Sequence, residues 1–389
     1  MHNVSAYARA YRNKITNKVF GVVSIPTTGK RKGYALLSYM TGPFTLTPGE
    51  HFTDPHIGYW ESALRARLLS ERGYAVDIIN GSDKTFIPKK PYKVVIDIRQ
   101  NLERLSPYLP KDCIKIMHIT SAPGTFQNAE EQKRLANLKE RRGVAIAPTR
   151  YEIVSGNEQF ADYLEGFGNK TVHATYKVNK PITPIPYACT ETFPFPEGKD
   201  FAETRKEFLW FGGGGAVLKG LDLLIEAFAP LTHLGLTIIG PAAFEKEFEG
   251  VYEKELALPH IKRYQRPQIN KNGESFVEGV PLIDMFNRCA TTIFPSASEG
   301  AGGSVVQTMQ AGVIPAVTRN TGIWEDAPAI IIEDPTVKSI QIIAEHISQA
   351  PPEELRAHAR KVWQYAQTHN TRGHYIRAYE SFLDTIVKL

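Results

Sequence analysis

The stretch IFPSASEGAGGSVVQTMQAGVIPAV, residues 293–317, runs from a short apolar segment through small residues and one carboxylate, Glu299. It continues into a helix-like run carrying Gln307 and then into a second apolar segment. TTIFPS has the composition of a buried strand end, and SVVQTMQAG has the length and glycine stop (Gly312) of a short helix, so ASEGAGG is expected to be a strand-to-helix turn. Glycines directly before a helix let the backbone pass close to a ligand, and the N–H groups of Gly302, Gly303 and Ser304 present the positive end of that helix. Such a turn suits a phosphate or diphosphate, with Glu299 at its lip and Gln307 one turn into the helix facing two ends of the same ligand. The same residues would equally form a plain surface turn with an exposed Glu and a helix Gln, since glycine-rich turns before helices are common.

A second stretch, FLWFGGGGAVLKGLDLLIEAFAPL (208–231), repeats the pattern of strand, glycine-rich turn and helix, with Lys219 at the helix entry. A lysine there supplies a point charge for phosphate, although an isolated lysine at a helix end is also an ordinary solvated group. Both turns follow expected strands of one domain, at the carboxyl ends where open α/β sheets bind ligands.

Outward from these turns the chain alternates between two periodicities. In the first half GYALLSYM (33–40), YAVDIIN (74–80), YKVVIDIR (92–99) and CIKIMHIT (113–120) read as strands, and YWESALRARLLSERG (59–73) as a helix with Leu64, Leu68 and Leu69 on one stripe. The charged run NAEEQKRLANLKERRG (128–143) reads as a solvated helix ending at Gly143, and VAIAP (144–148) as a further strand. This β-α-β rhythm predicts a parallel sheet of the doubly wound type. The proline-rich KPITPIPYACTETFPFPEGKD (180–200) disfavours helix and central strand and is the expected interdomain linker. After it the rhythm restarts, with EFLWFGG, GLTIIGP, IKRYQRP, ATTIFPS and AIIIED as strands and PLIDMFNRC as a helix. The tail, 352–389, has no strand signal; it is expected to be helical and able to cross back and brace the first domain.

Composition sets the class. A chain of 389 residues, 42% hydrophobic and 22% charged, is long enough for two domains with separate cores. The formal charge of +5 is modest, and no block of Lys and Arg is dense enough for a nucleic-acid footprint, so no nucleic-acid partner is expected. Cys113, Cys189 and Cys289 have no C-x-x-C spacing and support neither a disulfide framework nor a zinc site. Arg9, Arg12, Lys14 and Lys18 precede an apolar run, Val19 to Ile25, that is too short for a signal or a membrane span. A cytoplasmic location is expected, with any membrane contact peripheral and on the inner face.

Taken together, FGGGGAVLKGLDLLIEAF, LTIIGP and FPSASEGAGGSVVQTMQAGVIPAVTRNTGIWED resemble the donor-binding half of the retaining, family-four nucleotide-sugar glycosyltransferases (glycosyl transferases group 1) of the GT-B fold. SYMTGPF…HIGYWESALRARLLSERGYAVDII is more loosely similar to the acceptor-side first strand, loop and helix, and TPIPYACTETFPF sits where the family's linker leads into the second domain. The resemblance implies two Rossmann-like doubly wound domains facing each other across a cleft, with residues 1–192 on the acceptor side, 193–371 on the donor side, and a C-terminal helix, 372–389, crossing back. It implies transfer of a sugar from a nucleoside-diphosphate-sugar to a glycan, lipid-linked or other acceptor with retention of configuration. No cofactor and no metal are expected, since no Asp-x-Asp cradle stands in a matching place. Glu299 is implied to contact the sugar's hydroxyls, and Lys219 to hold the donor diphosphate beside Gly214 and the amides of Gly302, Gly303 and Ser304.

Two departures stand out. The family's second Glu is Gln307 here, and the Arg usual in the turn before Lys219 is replaced by the glycines of GGGGAV. These favour one alternative to an active transferase, a catalytically weak GT-B homologue acting as a binding or accessory subunit; a second alternative, a nucleotide-sugar epimerase, shares the architecture without an acceptor, and the long 41–58 loop argues against it. His118, in KIMHITSAPG, ends a strand and is expected to face the cleft as a catalytic residue, a place the family often gives to a histidine; a satisfied structural histidine is the alternative. His51 and His56 lie in the long loop TLTPGEHFTDPHIG, where an acceptor would bind.

Overall fold

The computed structural model describes residues 12–19, 21–47, 50, 56–98 and 100–387, so His51 lies outside the described residues. The first sheet has seven strands: β1 (Val22–Ile25), β2 (Gly33–Tyr39), β3 (Tyr74–Asn80), β4 (Tyr92–Asp97), β5 (Ile114–Ile119), β6 (Tyr163–Gly166) and β7 (Ile182–Pro184). Their order is β1-β3-β2-β4-β5-β6-β7, all parallel except β1 against β3. β2 is apolar along its length because both of its faces are buried. Ala35 and Leu37 pack in one cluster with Leu64, Leu68 and Leu69 of the helix Gly58–Glu71, while Leu36 points into the opposite cluster with Leu102 and Leu105.

The second sheet orders β10 (Ile261–Gln265), β9 (Gly235–Gly240), β8 (Glu207–Phe211), β14 (Thr291–Phe294), β15 (Ile314–Val317) and β16 (Ile330–Ile331), every pair parallel. A small antiparallel sheet of β11 (Gln268–Ile269), β12 (Ser275–Val277) and β13 (Val280–Pro281) follows β10. The described architecture is therefore α/β with two doubly wound, Rossmann-like sheets. No described helix is long and apolar enough to cross a membrane.

The C-terminal tail divides its packing. Ala359, Val362 and Ala366 of the helix Pro352–His369 lie in the core of the second sheet. The chain then turns at Asn370, and Thr371 caps the helix Arg372–Ile386 by accepting from His374 N. Tyr375, Tyr379, Phe382 and Leu383 of that last helix are buried with the first sheet.

Two sequence expectations need correction, those of VAIAP and of the solvated helix, and the expected linker adds a short edge strand. VAIAP (144–148) is not a strand: β5 already pairs with β4 and β6, which leaves it no free edge for a further strand. Instead this segment runs along the second domain, where Ala147 N donates to Glu247 Oε2 at 2.8 Å. The linker region contributes a short strand, β7, despite Pro184, because β7 is an edge strand and proline is tolerated there. The helix Gly124–Arg142 ends at Gly143 in the left-handed conformation, as expected, but it is not simply solvated. Its face of Gln127, Glu131, Arg134 and Leu138 is buried, and Leu138 sits in the core of the second domain. Arg134 Nη2 donates to Pro295 O at 2.6 Å, Arg141 pairs with Asp222 at 2.5 Å, and Arg142 pairs with Glu255 at 2.7 Å. A helix from the first half of the sequence thus docks on the domain built by the second half.

Candidate active site

β8 and β14 are neighbours in register, Thr291 beside Phe208, and the connections leaving their carboxyl ends open a crevice at the centre of the sheet. From β8 comes the glycine turn 212–215 and then Lys219, whose N–H donates to Gly215 O at 3.0 Å. From β14 comes the turn 295–302 and the helix Gly303–Met309. Lys219 and Glu299 meet here as an ion pair, with side chains only 12% and 19% exposed. The ammonium also lies 5.6 Å from the centre of the Phe294 ring, and Ser296 Oγ is 3.4 Å from the Glu299 carboxylate.

Two glycines of the 295–303 region are fixed by close approach to other elements. A Cβ on Gly300 would collide with Thr120 O, at the end of β5 in the first domain, so this turn is where the domains touch. A Cβ on Gly303 would collide with the hydroxyl of Tyr187, from the linker. Burial, with Cys189, Glu61 and Glu299 nearby, holds the Tyr187 phenol protonated well above its usual range. Tyr187 thus brings a neutral hydroxyl to the N-terminus of the helix. Its place was not legible from sequence, since a lone Tyr in a proline-rich run carries no periodic signal.

Gln307 does not open onto this crevice. It is 8% exposed, and its amide is bonded to the linker backbone: Oε1 accepts from Thr190 N at 3.1 Å and Glu191 N at 3.3 Å, while Nε2 donates to Glu191 O at 2.6 Å. The expected ligand contact would have to break these bonds. His118 is likewise corrected from a cleft residue to an interior one. Its ring is fully buried, with Nδ1 3.0 Å from Glu165 Oε2 and the ring edge-on to Phe167. Arg65 pairs with Glu165 at 2.6 Å and donates to Tyr375 Oη at 2.7 Å, so this cluster ties the last helix to β5, β6 and the helix Gly58–Glu71. Burial raises the Glu165 pKa, but Arg65 and His118 outweigh it and hold the carboxyl down at about 2.

A cavity of about 780 Å³ adjoins the turn 295–302, lined by Arg134, Ser296, Ala297 and Asn320, and two smaller ones lie elsewhere. One of about 270 Å³, lined by Pro241, Phe244, Tyr264 and Gln265, lies past β9 and β10. Another of about 260 Å³ is lined by Pro43, Leu46, His56, Trp60, Ile269 and Arg372. Among the described residues no cluster of three His, Cys, Asp or Glu side chains could hold a metal.

Residues 205–349 match the family described as glycosyl transferases group 1. No protein of curated function matches the chain in sequence. Among solved structures, WaaG, a glycosyltransferase involved in lipopolysaccharide biosynthesis, shares 14% identity at a TM-score of 0.53, over 92% of this chain and all of that one. TarM of S. aureus shares 10% identity at a TM-score of 0.51, over 75% of this chain and 55% of that one. The pneumococcal O-GlcNAc transferase GtfA shares 14% identity at a TM-score of 0.48, over 77% of this chain. This chain spans 58% of GtfA and 55% of TarM. The chain has the GT-B fold, and its residues 205–349 match the family model of the glycosyl transferases group 1.

Proposed function

We propose that this protein is a glycosyltransferase that moves a sugar from a nucleoside-diphosphate-sugar to a glycan, lipid-linked or other acceptor with retention of configuration. The observation that carries the proposal is the meeting of Lys219 and Glu299, eighty positions apart in sequence, at the carboxyl ends of two adjacent central strands. A diphosphate entering this crevice takes Lys219 as its cation, together with the amides of Gly302, Gly303 and Ser304, and releases Glu299 to accept hydrogen bonds from the sugar's hydroxyls. Charge on the leaving diphosphate is then stabilised by preorganised groups of the protein, so that no metal is required. The cavity beside Tyr264 suits the nucleobase, and the cavity beside His56 and Trp60 suits the acceptor. TarM was solved in complex with UDP, which makes UDP-sugars the first donors to test.

A second reading, the accessory subunit, is favoured by Gln307, whose commitment to the linker removes one expected donor contact. The deciding experiment incubates the protein with several nucleotide-sugars and measures free nucleoside diphosphate, with and without glycan and lipid acceptors. Acceptor-dependent release supports transfer. Binding without release in any combination supports the accessory reading, and interconversion of the nucleotide-sugar without acceptor supports an epimerase.

A further inference from the structure

The glycine turn 212–215 lacks a cation of its own, but the fold delivers one from elsewhere. Residues 144–150 leave the docked helix Gly124–Arg142 and cross the second domain, where they are held at several points. Ala147 N donates to Glu247; Thr149 N and Arg150 N both donate to Glu131 Oε1 at 2.8 Å; Gln127 Nε2 donates to Arg150 O at 2.6 Å; and Thr149 Oγ1 donates to Glu245 Oε1 at 3.1 Å. Arg150 is thereby fixed with its aliphatic stem on Gly215. A Cβ on that glycine would collide with Arg150 Cγ and stand 2.8 Å from its Cδ, and φ at Gly215 is +88°, so the turn has its glycine where Arg150 needs the space. Among the described residues the Arg150 guanidinium makes no ion pair, and the residue is exposed.

The charges touching the turn give this cation a purpose. Lys219 is paired with Glu299, and Glu245 Oε1 accepts from Gly215 N at 2.9 Å, which places one ammonium against two carboxylates. Without Arg150 the local sum is negative, and a diphosphate would be repelled; with it, the sum is neutral before the ligand arrives. Within this turn, Gly213 has open space around its α-carbon.

We propose that Arg150 is a diphosphate-binding residue, the second cation of the donor site, supplied by the crossing segment to the turn at 212–215. This rests on the donor-site proposal made above. It also makes the docked helix part of the site, because the bonds that hold 144–150 place Arg150 with the second domain whatever the first domain does.

The test uses the full chain and the diphosphates of uridine, guanosine, adenosine, cytidine and deoxythymidine. The one that raises the melting temperature most is carried forward, with its parent nucleoside as reference. Arg150→Gln keeps Cγ and Cδ on Gly215 and removes the guanidinium; it should weaken the nucleoside diphosphate by about 10- to 100-fold, the value of one charge-assisted hydrogen bond, and leave the nucleoside unchanged. Arg150→Lys should restore most of the loss. If Arg150→Gln binds as tightly as wild type while Lys219→Ala does not, Arg150 is not a ligand and the donor site stands without it. Equal weakening by the Gln and Lys variants, or equal weakening for the nucleoside, makes Arg150 a structural residue and overturns the assignment. If no diphosphate raises the melting temperature of the wild type, the donor site itself falls and this inference with it.

Discussion

Replacing Gln307 by Glu separates the geometry of this protein from the pattern of the family it resembles. In that pattern a carboxylate at this place accepts from the donor ribose, which predicts that Gln307→Glu keeps or improves donor affinity. In the structure Gln307 must donate as well as accept: Nε2 donates to Glu191 O at 2.6 Å while Oε1 takes the N–H groups of Thr190 and Glu191. An ionised Glu can still accept the two N–H groups, but it turns an oxygen on the Glu191 carbonyl in a place only 8% exposed. The lost bond is worth about 1 kcal/mol and the orphaned carbonyl about 1–3 kcal/mol, and stronger bonds from the two amides return about 1 kcal/mol of this, so a net cost of about 1–3 kcal/mol is expected. A protonated Glu can donate as the amide does, so folding raises the pKa of the new carboxyl above its unfolded value of about 4.3. The sign follows from linkage: the variant matches wild type below the unfolded pKa, and its stability falls as pH rises through the folded pKa. Urea unfolding at about pH 4 and pH 8, followed by tryptophan emission, reads this directly, because Trp363 Nε1 donates to Phe193 O of the same linker at 2.8 Å. Equal midpoints for variant and wild type at the higher pH would refute the clamp.

Glu299→Gln keeps the shape of the turn but weakens one or two charge-assisted bonds to the sugar, so turnover should fall by about 10- to 100-fold in the nucleotide-release assay; an unchanged turnover number sinks its assignment. Glu165 holds a depressed pKa in the folded state, near 2 against an ordinary 4.5, so its contribution is present above pH 4.5 and is lost as pH falls through the folded value. Acid unfolding curves of wild type and Glu165→Gln should therefore converge by about 3 kcal/mol over that window, and parallel curves would contradict it. Leu138→Ala should cost about 2–4 kcal/mol on denaturation and should expose the 144–150 segment to limited proteolysis, as the docked helix loosens from the second domain; an unaltered cleavage pattern would mean that the helix holds by its arginines alone.

Much of the protein was legible in its residues because the signals were local. The strand, glycine turn and helix of 208–231 and of 293–317 are set by apolar runs, glycines at turn positions and short helical stretches within about twenty-five residues of one another. The same locality gave the two parallel sheets, the helix stop at Gly143 and the candidacy of Lys219 and Glu299. Elements defined by a partner were not legible. YLEG at 163–166 is a strand because β5 offers it an edge, VAIAP is not one because that edge is taken, and three residues of a proline-rich run become β7 because the sheet ends there. The docking of the helix Gly124–Arg142 went unread for a related reason: of its buried stripe only Leu138 is apolar, while Gln127, Glu131 and Arg134 bury by hydrogen bonding. His118 against Glu165, Gln307 against the linker, and Arg150 against Gly215 each join segments 47 or more positions apart. No periodicity encodes such pairings, because the chain reports what each residue prefers to bury or solvate, and only the packed molecule decides which polar group stands opposite it.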